Sequence, residues 1–162
     1  MMKVINISGN QDTGKTTLLQ TLRKKVKLSC NDSKEKPTNH ESDFVGIYHC
    51  SAKDGDYWIA IISEGDSAWA ILKNLEILGE ILREEESVSP ADIRYLFYTS
   101  HNPQKETQNK IDSKIEELAG TDTDRYFYAT TKIHENDSSE VVNEQKERQL
   151  KLILTDIGLR IN

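Results

Sequence analysis

Short runs of β-branched and aromatic residues alternate along this chain with longer segments of helical periodicity. The strand-like runs cover residues 3–8, 44–50, 57–62, 93–99 and 125–130, with turn-forming residues between them. Apolar residues recur at three- and four-residue spacing after residue 15, over 67–86, around 111–118 and over 140–157, which predicts four amphipathic helices. Strands alternating with helices in this order are typical of an α/β fold.

The connections between these runs predict the topology. Residues 51–56 include Asp54-Gly55, a hairpin signal, and are too few for a parallel crossover, so runs 44–50 and 57–62 should be antiparallel neighbours. Right-handed helical crossovers between the other strands predict a three-layer fold, with a mostly parallel five-stranded sheet and one antiparallel edge strand. Residues 29–42 are polar and contain Pro37, which predicts a long mobile loop that could serve a protein partner.

Composition limits the class of protein. A chain of 162 residues predicts a single domain over 1–162. The first residues are too polar for a signal segment, and the apolar runs are too short to span a membrane, so we expect a cytoplasmic protein without a membrane partner. A net charge of −6 without a basic patch predicts no nucleic-acid partner. Cys30 and Cys50 lack metal-ligand spacing, which favours reduced thiols.

Residues 9–17, "GNQDTGKTT", directly follow the first strand-like run. Their spacing is G-x-x-x-x-G-K-[ST], which chance should produce in about one of two hundred chains of this composition. Glycines let backbone amides approach phosphate oxygens, and the N-terminus of the following helix favours anions. The sequence therefore predicts a phosphate-binding loop. Its predicted nucleotide contacts are Gly9, Asn10, Gln11, Asp12, Thr13, Gly14, Lys15, Thr16 and Thr17.

This loop resembles that of the P-loop NTPase superfamily, and the order of elements is similar to that of the Ras-like GTPases. The resemblance implies Mg²⁺-dependent binding of ATP or GTP, with Lys15 as a catalytic cation on the β and γ phosphates and Thr16 as a Mg²⁺ ligand. Without a recognisable arginine finger, hydrolysis should be slow. The alternatives are a kinase that transfers the γ-phosphate to a small molecule or nucleotide, and a non-catalytic nucleotide-binding regulatory module.

The D-x-x-G motif of the Ras-like family is only partly present. After the buried strand the chain has Ser63-Glu64-Gly65-Asp66. Glu64 and Asp66 are candidate catalytic residues that would orient Mg²⁺ or the attacking water, and Asp66 is a candidate metal ligand. The alternative role of Asp66 is to cap the helix that follows.

The guanine-reading [NT]-K-x-D motif is also degraded. Thr131 and Lys132 follow the last strand-like run, and His134 stands in place of the aspartate. Lys132 is a candidate nucleotide contact. Because a neutral imidazole cannot accept two hydrogen bonds as a carboxylate does, we expect ATP and GTP to bind within about tenfold of each other, unless Glu135 replaces the carboxylate. A literal match at 109–112 lies inside a predicted helix and is interpreted as accidental.

Overall fold

The computed structural model of the protein describes residues 1–9, 14–38, 43–63, 67–101, 105–130, 133 and 136–161. Within these ranges a mixed sheet combines with four α-helices and a single 3₁₀ turn. The elements are β1 (Met2–Ser8), α1 (Lys15–Ser29), β2 (Asp32–Pro37), β3 (Phe44–Cys50), β4 (Tyr57–Ile62), α2 (Ala68–Glu84), the 3₁₀ turn (Pro90–Asp92), β5 (Ile93–Ser100), α3 (Lys105–Ala119), β6 (Thr123–Ala129) and α4 (Ser139–Ile157).

The six strands form one sheet in the order β2-β3-β4-β5-β1-β6. β1 is parallel to β5 and β6, β4 is parallel to β5, and β3 is antiparallel to both β2 and β4. The predicted α/β class, the mostly parallel sheet and the antiparallel β3–β4 hairpin are confirmed. The prediction of five strands with one antiparallel edge strand is wrong, because β2 adds a sixth strand and the reversed strand, β3, is internal.

β2 lies within residues 29–42, which the sequence predicts to be a mobile loop, and that prediction is wrong for 32–37. The strand pairs antiparallel with β3 from Asp32 opposite His49 to Pro37 opposite Phe44. Its polar composition suits an edge strand, and Pro37 ends it where no further ladder hydrogen bond is required. Residues 39–42 lie outside the described residues. The proposed use of this segment by a protein partner stays a prediction.

Ionic contacts hold β2 against the sheet and α1. The carboxylate of Glu35 accepts hydrogen bonds from Arg23 Nε at 2.6 Å, Lys27 Nζ at 2.7 Å and the Tyr48 hydroxyl at 2.9 Å. Burial acts to raise the pKa of Glu35, but these three donors outweigh burial and lower the pKa below its usual value. Charge pairing therefore fixes a strand that has few apolar residues to bury.

We expect Glu35→Gln to reduce the free energy of unfolding by about 1–2 kcal/mol at pH 7, because it weakens three hydrogen bonds to a charged group. Urea denaturation measures this difference, with the exposed Glu86→Gln as the control. Since the folded-state pKa of Glu35 is depressed, its stabilisation is complete above the unfolded pKa and is lost as pH falls through the folded pKa. The two proteins should therefore converge in acid, and a constant difference would contradict the ionic role.

The sheet divides the core in two. Ile5 and Ile7 of β1 pack with apolar residues of α1 and α4, whereas Met2 and Val4 pack with those of α2 and α3. The predicted apolar stripes of the four helices are thereby confirmed, and the helices lie in pairs on opposite faces. The literal match to the guanine-reading motif at residues 109–112 falls inside α3, as the sequence predicts, and its Ile111 is buried.

The direction of the strands decides where functional residues can meet. The carboxyl ends of β1, β4, β5 and β6 lie at one edge of the sheet, and α1 begins beside the end of β1. Because β3 runs in the opposite direction, its first residues reach this same edge. Among the described residues, no helix has both the length and the apolar character needed to cross a membrane.

Candidate functional site

Small and hydroxyl-bearing residues line the carboxyl edge of the parallel strands. The Gly9 amide donates to the Ser100 carbonyl at 3.2 Å, and the Thr130 amide donates to the Ser8 carbonyl at 2.9 Å. The buried Thr99 hydroxyl donates to the Ser63 carbonyl at 3.0 Å. These bonds tie the ends of four parallel strands together, at the edge where open α/β sheets usually bind ligands.

Gly9 and Gly14 bracket the candidate phosphate loop. Gly14 adopts a left-handed conformation (φ 77°, ψ 27°) and caps α1 without a side chain, and its carbonyl accepts the first helical bond from the Leu18 amide at 2.9 Å. A glycine is needed here because L-residues with a Cβ are strained at this φ. The first amides of α1 have no acceptor within the helix, so this end attracts anions. Asn10, Gln11, Asp12 and Thr13 lie outside the described residues.

Lys15 spans the ends of this loop. Its side chain is only 6% exposed, and its Nζ donates to the Gly9 carbonyl at 2.8 Å and to the Ser100 carbonyl at 3.4 Å. The amine therefore lies at the junction of β1 and β5, although its Cα belongs to the first turn of α1. This geometry places a buried positive charge beside the N-terminus of the helix, where the sequence predicts the phosphate contact.

Thr16 contacts a carboxylate that the sequence motifs do not single out. The Thr16 hydroxyl donates to Asp43 Oδ1 at 3.3 Å, and the Ser63 hydroxyl reaches the same oxygen at 3.1 Å. The Phe44 amide donates to Ser63 Oγ at 2.8 Å, which locks the start of β3 to the end of β4. The predicted hairpin contains a signal for Asp43, because this residue directly precedes β3. Since β3 runs opposite to the parallel strands, the residue before it lies at their carboxyl edge.

The remaining predicted site residues are only partly placed. Thr17 lies in the first turn of α1, and its carbonyl accepts a bond from the Thr21 hydroxyl at 2.9 Å. The cap of α2 is Ser67, whose hydroxyl accepts from the Ala70 amide at 3.1 Å, so the alternative of Asp66 as this cap is wrong. Five predicted site or base-reading residues lie outside the described residues: Glu64, Asp66, Lys132, His134 and Glu135.

A second lysine reaches the candidate loop from α4. Lys146 is fully buried, and its Nζ donates to Gln149 Oε1 at 3.2 Å. A Cβ added to Gly14 would lie 2.4 Å from Lys146 Cε and 3.3 Å from its Nζ. Burial lowers the pKa of this ammonium. The sequence signal for the burial of Lys146 is its position in α4, four residues before Leu150 and therefore on the same apolar stripe.

The chemistry available at this edge is that of an anion site with oxygen ligands. Lys15 and the start of α1 supply positive charge, while the Thr16 hydroxyl and the Asp43 carboxylate supply hard oxygen donors of the kind that Mg²⁺ prefers. Over the described ranges, no group of three or more His, Cys, Asp or Glu side chains is placed to hold a metal ion. A Mg²⁺ ion here would therefore draw part of its coordination from water and from phosphate oxygens.

No protein-family model matches the chain, and no curated protein matches it significantly.

Proposed function

We propose that this protein binds the triphosphate chain of ATP or GTP together with Mg²⁺ at the carboxyl edge of the sheet, and hydrolyses the nucleotide slowly, as a P-loop NTPase with a three-layer fold. One observation carries the proposal. The adjacent residues Lys15 and Thr16 place a buried ammonium and a carboxylate-bound hydroxyl at the same edge, directly after the left-handed Gly14.

A phosphate chain matches the charges at this edge. The amine of Lys15 can exchange one of its carbonyl partners, Gly9 or Ser100, for a phosphate oxygen without leaving the loop, because an ammonium has three donors. The first amides of α1, which have no acceptor within the helix, supply further donors. A neutral ligand would not use the buried charge of Lys15.

The pair formed by Thr16 and Asp43 supports a role for Mg²⁺. The ion commonly uses one or two protein carboxylates together with substrate phosphates and water. Both Thr16 Oγ1 and Asp43 Oδ1 are oxygen donors, and they lie 3.3 Å apart, so one ion could contact both. We therefore add Asp43 to the predicted metal ligand Thr16, and Asp66 stays a predicted ligand.

Slow turnover fits the positions of three arginines. Arg94 and Arg125 lie near the amino-terminal ends of β5 and β6, at the edge opposite the candidate site, and Arg23 pairs with Glu35 of β2 at 2.6 Å. In these positions the three guanidinium groups cannot stabilise transition-state charge on a γ-phosphate.

Measuring free phosphate against phosphorylated acceptor separates hydrolysis from the kinase alternative, and binding without either product would favour the regulatory alternative.

Calorimetric titration with ATP, GTP and inorganic tripolyphosphate, each with Mg²⁺ and with EDTA, tests the proposal. We expect Thr16→Ala and Asp43→Asn each to weaken Mg²⁺-dependent binding about tenfold, or roughly 1.4 kcal/mol, and to leave binding in EDTA nearly unchanged. Asparagine can still accept the hydroxyl bonds, so Asp43→Asn should keep its melting temperature. Asp32→Asn, at the far end of β2, is the control.

Two results would count against the proposal. If the wild-type protein binds none of the three triphosphates, the phosphate site itself is wrong. If Asp43→Asn and Asp32→Asn bind magnesium triphosphates equally well, Asp43 is not a metal ligand, and its contacts with Thr16 and Ser63 serve only to join β3 to the edge.

A further inference from the structure

Lys146 is an unusual residue for its position. It lies on the inner stripe of α4 and has no exposed surface, although leucine and isoleucine occupy the neighbouring inner positions 150, 153, 154 and 157. Placing an ammonium in such a position costs free energy that a methionine or leucine of similar size would avoid. Packing alone therefore does not account for a lysine here.

The side chain of Lys146 extends across the end of the candidate loop. Its Cε would lie 2.4 Å and its Nζ 3.3 Å from a Cβ on Gly14, and Ile133 Cδ1 would lie 3.0 Å from the same atom. Lys146 thus occupies the space left by the missing side chain of Gly14, and its amine lies beside the residue that caps α1. Lys146 and Gly14 are far apart in the sequence, and they meet because α1 packs against α4.

The electrostatics of this position favour an anion. The N-terminus of α1 carries partial positive charge, so a cation beside it is placed unfavourably. Lys15, the next residue after Gly14, adds a second buried ammonium. Three positive contributions therefore converge around Gly14: the helix end, Lys15 and Lys146. A polyanion bound at the loop would be attracted by all three.

We propose that Lys146 is a second cation of the phosphate site, which binds the phosphate chain together with Lys15. This inference rests on the proposed function and extends it, because Lys146 adds a second positive charge from outside the loop motif. In the free protein the amine is held by Gln149, at 3.2 Å. Binding of phosphate would give the same amine an anionic acceptor.

The test compares Lys146→Met with the wild type by calorimetric titration with magnesium tripolyphosphate, which carries no base. Methionine keeps the length of the side chain and removes its charge. We expect the dissociation constant to rise about tenfold, while the melting temperature of the free protein stays the same or increases, since a buried charge has been removed. Lys151→Met, which removes an exposed charge from the same helix, should bind within twofold of the wild type.

Several outcomes would overturn the inference while leaving the proposed function intact. One is that Lys15→Ala weakens binding strongly but Lys146→Met binds tripolyphosphate like the wild type. Another is that Lys146→Met weakens binding of ATP alone, which would place Lys146 near the base. If Lys146→Met also lowers the melting temperature, Lys146→Arg decides, because it keeps the charge: retained affinity supports the proposal, and lost affinity reduces Lys146 to a packing role.

Discussion

Lys15→Ala should weaken binding of magnesium triphosphates at least a hundredfold, which corresponds to about 2.7 kcal/mol. The amine is 6% exposed and lies against the Gly9 and Ser100 carbonyls, so it acts in a region from which water is largely excluded. Hydrogen bonds between charged partners are worth about 1.5–3 kcal/mol each in such surroundings. Removing this charge should therefore reduce affinity for ATP, GTP and tripolyphosphate alike.

Calorimetric titration of the three ligands measures the effect of Lys15→Ala, and Lys24→Ala, an exposed position on α1, is its control. Lys15→Met should be measured as well, because both variants remove the lysine donor from the two carbonyls but only alanine also leaves a cavity, which costs about 2–5 kcal/mol of stability. Affinity that is unchanged in both Lys15 variants would exclude the phosphate-loop assignment. A melting temperature that falls only in the alanine variant would separate the packing effect from the charge effect.

Gly14→Ala should lower the free energy of unfolding by about 2–5 kcal/mol. The left-handed conformation (φ 77°) costs about 1–2 kcal/mol for a residue with a Cβ. The new methyl group would also lie 2.4 Å from Lys146 Cε, and overpacking of this kind costs about 1–3 kcal/mol. Because the same methyl group would displace the start of α1 or the amine of Lys146, we expect phosphate binding to be lost as well.

Gly120→Ala is the matched control for this substitution. Gly120 has nearly the same φ, 79°, but a Cβ there would meet no atom within 4 Å, so its replacement measures the backbone strain alone. Chemical denaturation of both variants, and of Gly14→Ala combined with Lys146→Ala, separates the two contributions. We expect the double variant to recover the overpacking part of the loss. Equal losses for Gly14→Ala and Gly120→Ala would show that the contact between Gly14 and Lys146 is not tightly packed.

The local elements and the loop motif could be predicted from the order of residues alone. Periodicity identified all four helices, because each buries one apolar stripe, and the Asp54-Gly55 turn identified the β3–β4 hairpin, because six residues cannot make a parallel crossover. The glycine spacing of the loop also predicts a backbone conformation at Gly14 that a Cβ would strain, and Gly14 has a φ of 77°. These features depend on interactions between residues that are close in the chain.

The contacts between distant residues could be seen only in the folded chain. β5 lies between β4 and β1, although the order of elements along the chain is compatible with several strand orders. β2 pairs with β3, and Arg23, Lys27 and Tyr48 bind its Glu35. A polar segment carries no apolar signal of that pairing. Asp43 reaches Thr16 because β3 is reversed, and Lys146 reaches Gly14 because α4 packs on α1. Each of these contacts joins segments that are distant in sequence, so local patterns could not reveal it.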